Sequence, residues 1–155
     1  TNTDGTTMAI YHHGGDFNLG PMTVGTWYFL GMKVGASGAC SAYIGTEGTG
    51  ALTKVTGTVS TSGTFNQITI GATNFHATEF WNGDICQVRA WNDQLSDAEF
   101  YQEKINSTLQ KTSNVLGWWE LASVANRLVD SSSAGNTLGQ SGYGSWTDVT
   151  GPTIG

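Results

Sequence analysis

The chain is short of charge, of proline and of cysteine, and each shortage removes a class of explanation. Only 12% of its 155 residues are charged, with 6 Lys plus Arg against 12 Asp plus Glu. So thin a basic complement forms no patch able to displace counterions from a phosphate backbone, which argues against nucleic acid as a partner. No apolar run reaches the ~18 residues that a membrane-spanning helix needs, so no membrane span is expected. Cysteine is limited to Cys40 and Cys86, each inside an expected strand. Two readings stand: a Cys40–Cys86 disulfide, stabilising by about 4 kcal/mol in the chain-entropy model, or two buried thiols. The spacing does not choose between them, so cysteine usage leaves the compartment open.

What the chain has in quantity is glycine, 22 residues of it, together with many Thr and Ser and only 2 Pro. That balance suits an all-β protein with many tight turns. On length, 155 residues make a single domain, 1–155, with a real core. The start Thr1-Asn2-Thr3 lacks Met, as in a processed form or a piece of a longer chain whose first strands lie elsewhere. No repeat at a fixed period is evident, which disfavours solenoids and propellers.

Helical signal is confined to one place. Ser96 followed three residues later by Glu99 is a capping box, in which the hydroxyl accepts from the N–H of Glu99 and the carboxylate from the N–H of Ser96. The spacing predicts one short helix near 96–106, with Ala98, Tyr101, Ile105 and Leu109 as its apolar stripe. Asp97, Glu103 and Lys104 fall off that stripe and are expected in solvent.

Strand signals surround it. Residues 8–19 read as a strand broken at Gly14-Gly15, with a turn at Gly20-Pro21. Trp27–Val34 and Cys40–Ile44 follow, then residues 45–64, rich in Gly, Thr and Ser around Leu52–Val59, which favour a hairpin or a long excursion, and then Gln67–Gly71 and Leu116–Leu121. In Phe80–Glu99, the Trp81-Asn82-Gly83 turn opens a strand with Ile85, Val88 and Ala90 inward, and the polar turn leads to Leu95-Ser96-Asp97-Ala98-Glu99. This passage resembles the laminin G-like domain of the concanavalin A-like jelly-roll superfamily. Trp27–Val34 resembles the family's "Trp-x-x-hydrophobic" strand. Cys40–Ile44 resembles the strand after it, with Gly45-Thr46 where the family has an Asp-Gly turn. Leu116–Leu121 with Arg127–Gly139 resembles its "Trp-x-Leu…Asp-x-Ser-Gly-x-Gly-Asn" segment. The resemblance implies an all-β, two-layer antiparallel β-sandwich (jelly roll) with one short α-helix.

Candidate chemistry is sparse. A retaining glucanase needs two carboxylates about 5 Å apart, and no Glu-x-Asp-x-x-Glu cluster occurs. Glu79 and Asp84, beside the Trp81 turn, are the nearest approach to a pair, with a solvated turn as the plain alternative. No Gly-x-Ser-x-Gly elbow or Cys-His pairing is present. His12 and His13, adjacent in a strand, point to opposite faces and cannot share one metal. The reading is therefore not an enzyme.

Calcium is the cofactor that the resemblance raises, held at loop edges by carboxylates and carbonyls. Asp16, Asp130 and Asn136 are the candidates, although Asp and Asn also make turns. Of six Trp, Trp27, Trp81, Trp91 and one of Trp118 and Trp119 are expected in the core. Trp146 and the other of that pair are free to stack on a ligand. Asn106-Ser107-Thr108 is a glycosylation sequon and carries no functional weight.

The resemblance implies a non-catalytic module binding a glycan or protein ligand through edge loops; Asp16, His76, Asp130 and Trp146, which fall in Gly- and Ser-rich connections, are the expected contributors. An alternative is a structural or decoration domain of an extracellular or virion assembly, whose partners are neighbouring subunits. Either places the chain outside the cell, at a cell surface or on a virion, in adhesion or carbohydrate binding.

Overall fold

A computed structural model of the chain describes residues 7–12, 15–61, 68–71, 81, 83–121, 123 and 125–139, with the backbone alone for Tyr11 and His12. The described residues form strands β1 (Thr7–His12), β2 (Gly15–Pro21), β3 (Tyr28–Val34), β4 (Ala39–Thr46), β5 (Thr53–Thr58), β6 (Val88–Trp91) and β7 (Val115–Trp119), and one helix, α1 (Asp97–Ile105). All ladders are antiparallel, the all-β architecture with a single short helix that the sequence leads one to expect. They fall into two compact units, one holding β1–β5 and α1, the other holding β6, β7 and the 125–139 segment.

In the first unit β4 is the central strand of β3-β4-β5, and five successive residues, Cys40–Ile44, are buried. Burial on both faces follows from what covers each. On one face, β2 alternates exposed Asp16 and Asn18 with buried Phe17 and Leu19, as a half-buried strand must. The Phe17 ring lies over Gly57, which pairs with Cys40, so the β1-β2 pair packs on the face shared by Cys40, Ala42 and Ile44.

The other face takes α1. Phe100 stacks on Tyr43, with centroids 4.4 Å apart, and meets Phe29 edge-on at 6.4 Å. Gly31, opposite Tyr43 and two residues after Phe29 in the register, leaves room for this: a Cβ there would lie 2.8 Å from Phe100 Cε1. Asp97, the first helical residue, accepts from Tyr43 Oη at 2.7 Å, from Lys33 Nζ at 3.0 Å and from Lys54 Nζ at 2.9 Å. The two lysines flank the Tyr43 ring at 5.6 and 5.7 Å from its centroid. Lys33 also donates to the Leu95 carbonyl at 2.9 Å.

The capping box forms as predicted: Glu99 N donates to Ser96 Oγ at 3.2 Å, and Ser96 N donates to Glu99 Oε2 at 2.7 Å. The buried face of α1 differs from the predicted stripe. Ala98 is exposed, whereas Phe100, Glu103 and Lys104 are buried. The same three- and four-residue spacing operates on a neighbouring face, and the charged ends are tolerated there because each finds hydrogen-bonding partners. Glu103 Oε1 accepts from the N–H groups of Gln110 and Lys111. Lys104 Nζ donates to the carbonyls of Gly48 and Gly50, and Tyr101 Oη donates to that of Thr49 at 2.9 Å. Asp97 is exposed as expected, but paired.

In the second unit β6 and β7 pair Val88 with Trp119 and Arg89 with Trp118. Gln87 and Asn114, both at positive φ, flank the ladder, which extends through Gln87 N to Glu120 O and Asn92 N to Asn114 O. Ile85 therefore lies before the strand rather than in it. The expected Gln67–Gly71 strand is corrected over its described part: Ile68–Gly71 is irregular, and Gly71, at φ +81, accepts from Trp81 N and closes a loop instead.

Glu99 is held down to about 2 by the backbone N–H of Ser96 and by Lys111, whose ammonium lies 2.9 Å away. Asp97 is lowered further in the same direction, by Lys54 first and then Tyr43 and Lys33. A carboxyl whose folded pKa is depressed stabilises above its unfolded value and loses that contribution as pH falls through the folded one. Urea midpoints of the wild type should thus fall between about pH 4 and pH 2, and Glu99→Gln should flatten part of that slope while lowering the midpoint at pH 7.

Candidate functional site

The expected site residues are best resolved at the outer edge of β7. There the segment after Val129 runs alongside the strand, and two side chains complete the pairing. Asp130 Oδ1 accepts from Trp118 N at 2.9 Å and Ser132 N at 2.8 Å, and Oδ2 accepts from Asn136 N at 2.7 Å. Ser131 N donates to Trp118 O at 2.7 Å, and Asn136 Nδ2 donates to Leu116 O at 2.8 Å. The loop is thereby closed on itself by one carboxylate. Burial works against that charge, but the N–H of Trp118, the Ser132 side chain and the N–H groups of Ser132 and Asn136 outweigh it and hold Asp130 below the ordinary range.

Beneath the loop, Trp119 is 3% exposed and its Nε1 donates to the Asn136 carbonyl at 2.8 Å. Trp118, on the opposite face of β7, is half-buried with the Arg89 guanidinium 5.6 Å from its ring centroid. The pair divides as a strand requires, one ring in the core and one toward the surface. Ser131, Ser133, Thr137 and the Gly135 backbone remain exposed on the loop. Such a surface offers hydrogen-bond donors and acceptors on a fixed frame, with Asp130 fully engaged in holding it.

The structure brings Asp130 and Asn136 together, as structural partners. Asp16 sits exposed on β2, opposite Tyr11 in the β1-β2 register. His76, Trp146, His13 and Glu79 lie outside the described residues, and Asp84 is exposed. Among the described residues no group of three or more His, Cys, Asp or Glu converges. Trp27, Trp81 and Trp91 are half-buried rather than fully enclosed. Cys40 is a buried and Cys86 a half-buried free thiol, in different units. Burial pushes both thiols up.

Sequence reasoning missed the Lys33–Asp97–Lys54 cluster and the Lys104 contacts. The available signal was scarcity: with four Lys in the chain, two placed within strand segments at 33 and 54 call for carboxylate partners.

Among the described residues, antiparallel sheets carry one short helix, and a polar loop lies along a strand edge. A laminin G family model, described as the concanavalin A-like lectin/glucanases superfamily, matches residues 2–100, and the chain belongs to that superfamily. Its fold is accordingly a jelly-roll sandwich. The match ends at Phe100 within α1, so β7 and the 130–137 loop lie beyond it. No curated protein and no solved structure matches the chain. Domains of this type generally bind carbohydrate or protein and are generally non-enzymatic, and they are often extracellular. Among the described residues no helix is long and apolar enough to cross a membrane.

Two outcomes test this geometry. Asp130→Ala strands three N–H donors and should cost about 1–3 kcal/mol in chemical denaturation, with Asp130→Asn recovering part of the loss. Thiol titration should find two reactive cysteines in unfolded, unreduced protein and slow reaction of both in the native state.

Proposed function

We propose that this chain is a non-catalytic recognition module that binds a glycan or a protein ligand through loops at the edge of its sandwich, in an extracellular, cell-surface or virion setting. The observation that carries the reading is the 130–137 loop, locked to β7 by the Asp130 carboxylate and presenting exposed hydroxyl and backbone groups. A loop already ordered in the free protein loses little conformational freedom on binding, and rigid scaffolds commonly display binding groups on such connections. Asp130 acts here as a positioning residue. Asp16 lies exposed on the half-buried strand β2, and His76 and Trp146 are further contributors in this reading.

A glycan array read with and without a chelator, together with native mass measurement, tests it. The expected result is a monomer that retains specific ligands, loses affinity in Asp130→Ala, and leaves β-glucans intact. A defined oligomer with no glycan or protein ligand would favour the structural role in an assembly, and turnover of a β-glucan would overturn the non-catalytic reading.

A further inference from the structure

The β4–β5 connection has an unusual backbone arrangement. Residues 46–51 are all exposed, yet three successive carbonyls, those of Gly48, Thr49 and Gly50, point to donors on α1. The donors are Lys104 Nζ for the first and third and Tyr101 Oη for the second. Lys104 is itself 5% exposed, and its stem is confined: a Cβ on Gly45 would lie 2.8 Å from Lys104 Cε. The loop is therefore fixed from behind.

Peptide geometry dictates what its front presents. No peptide bond here is cis, and in a trans peptide the carbonyl of one residue points opposite to the N–H of the next. With the carbonyls of 48, 49 and 50 directed at the helix, the N–H groups of Thr49, Gly50 and Ala51 are directed away from it. None of the three has an acceptor among the described residues. Each belongs to a peptide whose oxygen is bound to an ammonium or a hydroxyl, which polarises the N–H further. Glu47, exposed in the same loop, adds a carboxylate without a partner among the described residues.

We infer that Glu47–Ala51 is a subsite for the hydroxyl groups of a neutral sugar, in which the N–H groups of Thr49, Gly50 and Ala51 donate to ligand oxygens and the Glu47 carboxylate accepts a hydroxyl proton. A sugar hydroxyl both accepts and donates, and this loop supplies the two complements side by side. An oxyanion fits less well, because Glu47 stands beside the donors and the chain carries a net charge of −6. The site rests on the recognition reading but is separate from the 130–137 loop, and unlike that loop it lies inside the family match.

The test is an amide chemical-shift titration of the full chain with the methyl glycosides of glucose, galactose and mannose, and separately with inorganic sulfate. The expected result is that at least one glycoside shifts the amides of Thr49, Gly50 and Ala51. Glu47→Gln should weaken that binding about tenfold, and Ala51→Pro, which deletes one donor, about fivefold, with unchanged thermal melts. Tyr101→Phe, which loosens the loop without touching ligand, should broaden the same amides and be milder. Shifts confined to Ser131–Thr137 would overturn this site and leave the recognition reading intact. A response to sulfate alone, strengthened by Glu47→Gln, would overturn the neutral-sugar assignment. No response to any glycoside would overturn the inference while leaving a protein ligand open to the broader reading.

Discussion

The seating of α1 on the β3-β4-β5 sheet is the contact on which the first unit depends. A nine-residue helix is too short to persist in water by itself, so tertiary contacts must supply its stability. All four lysines of the chain take part: Lys33 and Lys54 reach Asp97 from the strands, Lys111 reaches Glu99, and Lys104 reaches back to the β4–β5 loop. Between them, the Phe100–Tyr43 stack supplies the apolar contact. Asp97 and Glu99 also lie in the first turn, where negative charge is favoured by the unpaired N–H groups. Exposed ion pairs of this kind contribute little singly; their effect here is to fix the orientation in which Phe100 meets the sheet.

The two units solve different problems with carboxylates. In the first, Asp97 joins elements far apart in sequence through charged donors. In the second, Asp130 accepts from three backbone N–H groups, two of them within six residues of it, and so shapes a single loop. Each carboxylate is occupied by the chain's own donors.

Local rules made much of this legible. The capping box rests on a four-residue pattern that carries its own geometry, and it forms as the sequence indicates. The strand signal over residues 8–19 was legible from its composition and glycine break, while the alternation of buried Phe17 and Leu19 with exposed Asp16 and Asn18 emerges only in the fold. The helix face was misread because Glu103 and Lys104 count as polar in any periodicity argument, although long side chains bury their stems when their ends are paired. Those partners, the amides of 110–111 and the carbonyls of 48 and 50, are tertiary and invisible to a local pattern. Asp130 and Asn136 were recognisable as loop residues, but that their hydrogen-bonding groups turn inward to β7 depends on a pairing that only the fold reveals. Ile68 and Ile70 alternate as a strand would, yet Gly71 and Trp81 close a loop there.

The outer edge of β7 has a consequence beyond recognition. A strand edge with free N–H and C=O groups invites a second chain to add its own strand, and sheets commonly guard against this with charges, bulges or covering segments. Here Asp130 and Asn136 imitate a neighbouring strand, occupying Trp118 N and Leu116 O with side-chain atoms. The 130–136 loop thus behaves as a selvedge, finishing a woven margin so that it neither unravels nor catches on the next molecule.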